Sequence, residues 1–410
     1  LQSGHDLGAS GADAQSKLGL AVTIFVVATA LKLSLFPLSN ADMADYIVLW
    51  VRYLDEHRLQ ALASSFTDYA PGYTYVLALV VPLSWLLGDI AAIKTASLIG
   101  DFCMAAAAAG LSASIARSRS GRADVGQVAL IAAMLFCLPT VVVNSGAWGQ
   151  SDAIWCSAVL VSVWCMLERR PSAAVLALGV ALAFKPQAIF LAPVLVGFLL
   201  SGRSFAGLLR LLLLPLPYVV LALPMVAAGQ PETHVFGVYF MGVVGPRAMS
   251  NAAPSLWALL PADLPLAALP LGIAAGAVVG AVITLHSALV LQRSSNAVPL
   301  LAAMSCMLMP FVLPKMHDRY FFGGEVLVFI VACTFPRLLP AVLMSQAAAL
   351  LSYETFLLQL SGWRLVAGAL FNLGALAILV REVSRLDVPM GLFAVLKERW
   401  PAGRSARGGA

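Results

Sequence analysis

The stretch at residues 172–200, SAAVLALGVALAFKPQAIFLAPVLVGFLL, decides the fold. It is almost wholly apolar and is bracketed by arginines, Arg169 and Arg170 before it and Arg203 and Arg210 after it. Short basic connectors stay on the cytoplasmic side of a membrane, so the chain must enter the bilayer and return to the same side. Two full crossings of a hydrocarbon core need about 40 helical residues, and this stretch offers 29. It therefore reads as two short helices broken at Lys185-Pro186. A broken backbone at membrane depth is tolerated only where it is buried in protein or lines a wet cavity, which places the Lys185 cation at the floor of such a cavity.

The rest of the chain agrees with a membrane setting. Of its 410 residues 61% are hydrophobic and only 11% charged, with mean hydropathy +0.91. A soluble domain carries about 25% charged residues, so a water-soluble enzyme and a disordered chain are both excluded. Strand-like alternation is absent, which excludes a transmembrane barrel. The reading is an all-α polytopic membrane protein. The six cysteines lie within apolar runs with no C-x-x-C pair, so no disulfide or zinc site is expected. The net charge of +5 belongs to cytoplasmic loops and implies no nucleic-acid partner.

Those loops hold Arg117, Arg119 and Arg122, then Arg169/Arg170, Arg203/Arg210, Arg293, Arg337, and a tail running from Arg381 and Arg385 to Lys397, Arg399, Arg404 and Arg407. Segments at roughly 144–152, 185–187, 228–264, 314–320 and 361–364 fall on the outer side. The spans between them are about 17–38, 91–115, 126–143, 150–167, 172–185, 187–200, 205–227, 265–291, 297–313, 321–336, 340–360 and 363–380. This makes twelve crossings with both termini cytoplasmic. The apolar run at 71–88 is excluded by parity, because a crossing there would turn the Arg117–Arg122 loop outward; it lies along or dips into the outer face. Residues 1–16 read as a flexible tail, and the first apolar run as an uncleaved span.

With so few charges, those outside the basic loops call for an explanation. Asp42 and Asp45 follow the first span in Asn40-Ala-Asp42-Met-Ala-Asp45-Tyr46; three apart, they share a helix face and could serve as a general base, a metal site or merely a solvated juxtamembrane helix. Asp68-Tyr69-Ala70-Pro71-Gly72-Tyr73 is a tight turn with interfacial tyrosines. In Asn144-Ser-Gly-Ala-Trp148-Gly149-Gln150-Ser-Asp152, glycines permit close approach while Gln150 and Asp152 can bind a sugar or cap a helix. Lys185-Pro186-Gln187 is the break. The second outer loop holds His234, Tyr239, Arg247, Ser250 and Asn251, before an apolar helix containing Trp257. Lys315-Met-His317-Asp318-Arg319-Tyr320 packs four ionisable groups into six residues on the side where cations are disfavoured. The cations Lys185, Arg247, Lys315 and Arg319, with His317 among them, suit a lipid-linked phosphate; a nearby carboxylate suits deprotonation of a hydroxyl. Of the charges within apolar runs, Lys32, Asp101, Glu325 and Glu354 read as structural ion pairs or, for Lys32, a snorkelling group.

In this order the clusters resemble the GT-C superfamily of polyprenyl-phosphate-sugar-dependent glycosyltransferases, with bacterial relatives of the GPI mannosyltransferases nearest in kind. The likeness runs from about 40 to 322 and is carried by Asp42 with Trp50 eight residues on, Asp68-Tyr69-Ala70-Pro71, Trp148-Gly149-Gln150-Ser151-Asp152, Lys185-Pro186-Gln187 and Met316-His317-Asp318-Arg319-Tyr320-Phe321. Gly72 stands where the family often has a second proline, which implies a looser turn, and Asp318 where it often has glutamate. The resemblance implies a seven-span catalytic module, here 17–227 including an outer loop at 39–90 with juxtamembrane helices; the charge pattern adds an outer loop at 228–264, membrane helices at 265–380 and a cytoplasmic tail at 381–410. The resemblance further implies inverting transfer without cofactor or metal, with Asp42 as catalytic base and Asp45 in reserve. Donor phosphate would meet Lys185, Arg247, Lys315, Arg319 and His317, while sugar and acceptor would meet Asp68, Tyr69, Trp148, Gln150, Asp152, Gln187, Asn251, Asp318 and Tyr320. Partners follow: a polyprenyl-phosphate sugar and a lipid, glycan or protein acceptor at the periplasmic face of a bacterial inner membrane. Two rival readings are an O-antigen polymerase or ligase using a diphosphate-linked donor, and a flippase or transporter of lipid-linked sugar; the latter expects paired broken helices at the midplane.

Overall fold

The computed structural model describes residues 2–202, 205–240, 249–261, 266–360 and 362–386. The chain is helical nearly throughout. Its first half holds α1 (Gln2–Ser34), α2 (Val48–His57), α3 (Pro71–Leu87), α4 (Asp89–Ser120), α5 (Val125–Phe136), α6 (Pro139–Val142), α7 (Asp152–Leu167), α8 (Pro171–Leu182), α9 (Ala192–Ser201), α10 (Leu216–Ala227) and α11 (Glu232–Val235). The second half holds α12 (Leu269–Leu291), α13 (Val298–Val312), α14 (Phe322–Ala332), α15 (Leu339–Leu357) and α16 (Trp363–Val383). Among the described residues the one sheet is a parallel pair, β1 (Ser250–Asn251) with β2 (Met316–His317).

The protein is a multi-pass membrane protein. Among the described residues six helices are long and apolar enough to cross a bilayer, and a seventh span is counted if α5 and the helix beginning at Pro139, bent by 56°, form one. The bend has a local cause: Pro139 has no N–H to donate and its ring disfavours helix at Leu138. The other apolar helices are shorter, among them α8 and the pair formed by the 3₁₀ turn Pro186–Leu191 with α9. Between these lies the break expected at Lys185-Pro186: α8 ends at Leu182 and Lys185 is extended (φ −148°, ψ 142°), as the residue before a proline prefers.

Two sequence expectations are corrected. The first sixteen residues are not a separate tail, since α1 begins at Gln2; once the membrane span is helical, each further residue adds a hydrogen bond without a new nucleation cost. Nor is Trp257 on an apolar helix. It sits on one 3₁₀ turn, Leu256–Leu259, because Pro254 and Pro261 leave no room for a longer element.

α2 and α3 pack on each other and on the start of α4, forming a core of their own from Met43, Trp50, Leu54, Tyr73, Leu77 and Ile93. This unit is separate from the bundle core running through α4, α5, α7–α9 and α12–α16. Inside the bundle, Lys32 does not snorkel. Its Nζ lies 2.6 Å from Asp101 Oδ2, both side chains inaccessible, and 3.7 Å from the Phe136 ring centre. Removing one partner of a buried ion pair leaves an uncompensated charge and costs about 3–5 kcal/mol, whereas replacing both by apolar groups is often close to neutral. Lys32→Met and Asp101→Leu should therefore each lower the thermal midpoint of the detergent-purified protein, and the double variant should recover most of the loss. Additive losses in the double variant would dissolve the pair.

Candidate active site

The sequence clusters converge at one end of the bundle, where α1, α6 and α8 end and α4, α7 and α14 begin. At the centre is Asp152, the first residue of α7 and fully buried. Its Oδ1 accepts from Lys185 Nζ at 2.8 Å and from Trp155 Nε1 at 2.9 Å. Its Oδ2 accepts from Asn144 Nδ2 at 2.8 Å and lies 3.8 Å from Arg319 Nε. One carboxylate thus gathers groups from the 143–148 segment, the Lys185 break, its own helix and the loop before α14.

Asp42 forms the outer half. Its Oδ2 accepts from Gln150 Nε2 at 2.7 Å, Trp148 Nε1 at 3.1 Å and Arg319 Nη1 at 3.2 Å, while no hydrogen bond reaches its Oδ1 among the described residues. Arg319 bridges the two carboxylates and lies 4.6 Å from the Trp148 ring; Lys185 faces the Tyr69 ring at 5.3 Å. Burial pulls the Arg319 guanidinium down, but Asp318, Tyr69, Asp152 and Asp42 around it more than reverse this, and its pKa is raised. Accessibility separates the carboxylates: the Asp42 side chain is 24% exposed, that of Asp152 0%. Only Asp42 can meet an incoming group.

Local backbone sets these positions. Met43–Ile47 and Val143–Trp148 are both π-helical, a rare widening that recurs at functional sites. The second ends at Gly149, whose left-handed φ of 78° is open to glycine at no steric cost. The wider turn also undoes the expected pairing of Asp42 with Asp45, since residues three apart no longer share a face, and Asp45 is exposed outside the cluster. Asn40 ties the two segments together, accepting from Met43 N at 3.0 Å and donating to the Trp148 carbonyl at 3.3 Å. Beneath it Lys94 Nζ donates to the carbonyls of Leu35 and Leu38 at 2.9 and 2.7 Å, satisfying groups that the end of α1 leaves bare.

A second group adjoins the first through Arg319. Asn251 Nδ2 meets His317 Nδ1 at 2.9 Å, the His317 and Tyr320 rings pack at a tilt of 32°, and Asp318 is buried with neither carboxylate oxygen hydrogen-bonded among the described residues. Burial pushes the Asp318 carboxyl up to about 7, opposed by Arg319 and reinforced by Asp152 and Asp42. Lys315 is half-buried, with φ 61° and its N–H donating to the Met249 carbonyl at 2.7 Å. The segment after α10 clasps two others: His234 Nε2 meets the Thr67 carbonyl at 3.0 Å, and the Tyr239 hydroxyl donates to the carbonyl of Leu182 at the end of α8.

Of the expected site residues, Asp42, Tyr69, Trp148, Gln150, Asp152, Lys185 and Arg319 come together. Gln187 is buried beside the break with its Oε1 unbonded, and Asp68 is exposed on the turn. Arg247 lies outside the described residues. Asn40, Lys94, Asn144 and Trp155 were not singled out. Lys94 carried a signal, a cation within an apolar span, as did Trp155, three residues after Asp152 on one helix face. Among the described residues no three His, Cys, Asp or Glu side chains converge as metal ligands do.

No family model matches the chain, and no curated protein does. Among solved structures, ArnT from Cupriavidus metallidurans, crystallised bound to undecaprenyl phosphate, aligns with a TM-score of 0.51 over 89% of this chain and 78% of its own, at 16% identity. The chain shares the overall fold of that structure. Within this fold, one departure from the motif pattern of the GT-C resemblance acquires a reason. Gly72 does not loosen the turn; its N–H donates to the Ala183 carbonyl at 3.0 Å, a bond proline cannot make, and a Cβ there would come within 2.6 Å of that oxygen.

Two tests follow from this geometry. Gly72→Ala should lower the thermal midpoint, since overpacking costs about 1–3 kcal/mol, while Gly19→Ala, with nothing within 4 Å of the added carbon, should not; equal midpoints would remove the contact from the account. Between the ordinary aspartate value near 4 and about 7, folded Asp318 holds a proton that the unfolded chain has lost, so its contribution to stability falls as pH rises through that window. The thermal midpoint should drop more between pH 5 and pH 8 in the wild type than in Asp318→Asn, and parallel profiles would place the titration elsewhere.

Proposed function

We propose that this chain is an integral-membrane inverting glycosyltransferase. It moves a hexose from a polyprenyl-monophosphate carrier to a hydroxyl acceptor at the periplasmic face of a bacterial inner membrane, in the twelve-crossing topology inferred from charge. The observation that carries the reading is Asp42: a partly open carboxylate with one oxygen fixed by three donors and the other unbonded among the described residues, next to two cations held by a buried anion. The fold supports it, and ArnT, which shares that fold, was crystallised with undecaprenyl phosphate.

In the proposed step Asp42 Oδ1 accepts the acceptor hydroxyl proton as that oxygen attacks the anomeric carbon. The bond from this carbon to the phosphate oxygen breaks on the opposite side, and its electron pair leaves with the polyprenyl phosphate. A single displacement inverts the centre. Arg319 and Lys185 meet the charge developing on the phosphate, with Lys315 four residues before Arg319 in the same segment. Such donors act strongly because they are already oriented and shielded from water. Apolar walls for the carrier chain lie close by, in a groove of about 300 Å³ lined by Ile189, Phe190, Pro193, Val196 and Met309, which starts two residues past Gln187.

Removing a general base typically costs 10²–10⁴-fold in rate. Asp42→Asn should lose transfer by roughly that factor while keeping donor affinity, and Asp45→Asn should retain activity. Radiolabel transfer from monophosphate-linked and diphosphate-linked sugars, run on both variants, measures this. Full turnover by Asp42→Asn would sink the assignment, and preference for the diphosphate donor would favour the polymerase or ligase reading.

A further inference from the structure

At the opposite end of the bundle from Asp42, α4, α12, α14 and α16 end and α13 begins around a cavity of about 360 Å³. Its polar lining is Arg119, Arg293 and Arg385 with Ser118, Ser294, Asn296 and Thr334, and no acidic residue is among the lining groups. The Arg119 guanidinium lies 4.7 Å over the Phe335 ring and has no carboxylate partner among the described residues. Arg385 is ion-paired with Glu382, one turn back on the same helix. The remaining walls are apolar, supplied by residues such as Leu167, Val290, Leu300 and Val331.

Three guanidinium groups around one recess, without a lining carboxylate, select an anion with several oxygens. Guanidinium forks match phosphate geometry, and stacking on Phe335 fixes one of them in advance. The volume falls in the range of small-molecule sites, and apolar walls beneath a cationic rim suit an amphiphile better than a bare ion. By the charge rule this end is cytoplasmic, the leaflet rich in anionic lipid, and basic recesses between spans on that side take lipid phosphates. We propose that this recess binds a phosphate-bearing anion, with an anionic phospholipid headgroup of that leaflet as its source. The site is distinct from the donor site, which lies at the other end of the same helices.

The test uses the full chain, delipidated in neutral detergent, with phosphatidylglycerol, phosphatidylcholine or inorganic phosphate as probe, followed by native mass spectrometry and thermal midpoint. Ligand binding to the folded state raises the midpoint. Wild type should retain phosphatidylglycerol over phosphatidylcholine, and Arg119→Gln and Arg293→Gln should each weaken retention roughly 5-fold. Arg337→Gln, a basic position at the same end outside the cavity lining, should leave it unchanged. Stabilisation by inorganic phosphate alone, lost in the same two variants, would keep the anion site and assign it to a soluble source. Equal retention of the two lipids with no effect of phosphate, or a preference that survives the Arg119→Gln/Arg293→Gln double variant, would overturn the proposal.

Discussion

The buried carboxylate of Asp152 is the constraint on which the rest of the site depends. An anion fully removed from water is tolerable only if it is paired and hydrogen-bonded, and Asp152 meets that demand by drawing four groups from separate parts of the chain. Lys185 must reach it, so α8 breaks where it does. Asn144 must reach it, so the segment before Trp148 widens into a π-helix. Arg319 must stand between it and Asp42, which fixes the loop before α14. Seen this way, the irregular backbone at this end of the bundle follows from satisfying one buried charge.

The same constraint explains why two cations persist where an anionic substrate would be expected to find them. Asp152 and Asp42 hold Lys185 and Arg319 in place, and Arg319 contacts both carboxylates. A phosphate entering there would exchange one set of charge-assisted bonds for another instead of ordering loose side chains, so little conformational entropy is lost on binding. The Trp148 ring, packed against Tyr353 and Phe356 of α15, supports Arg319 from behind and links the site to the second half of the chain.

Much of this was legible in the sequence because charge is scarce. The break at Lys185-Pro186 followed from 29 residues being too few for two crossings, and the ordered clusters pointed to the residues that meet around Asp152. Three things were not legible. Helical period assumes an α-helix, so the π-turn that parts Asp42 from Asp45 was invisible. The need for Gly72 rests on a carbonyl more than a hundred residues away, which no local pattern records. The pairing of Lys32 with Asp101 joins two helices distant in sequence, and Lys32 taken alone reads as a snorkelling group.

The central claim is that this cluster is built to hold a lipid phosphate, and binding of undecaprenyl phosphate compared with undecaprenol tests it most directly. Both share the chain that would lie in the apolar groove and differ only in the phosphate. The account predicts that the phosphate form raises the thermal midpoint of the purified protein and the alcohol does not, with the difference lost in Arg319→Gln. Equal stabilisation by the two lipids would contradict it.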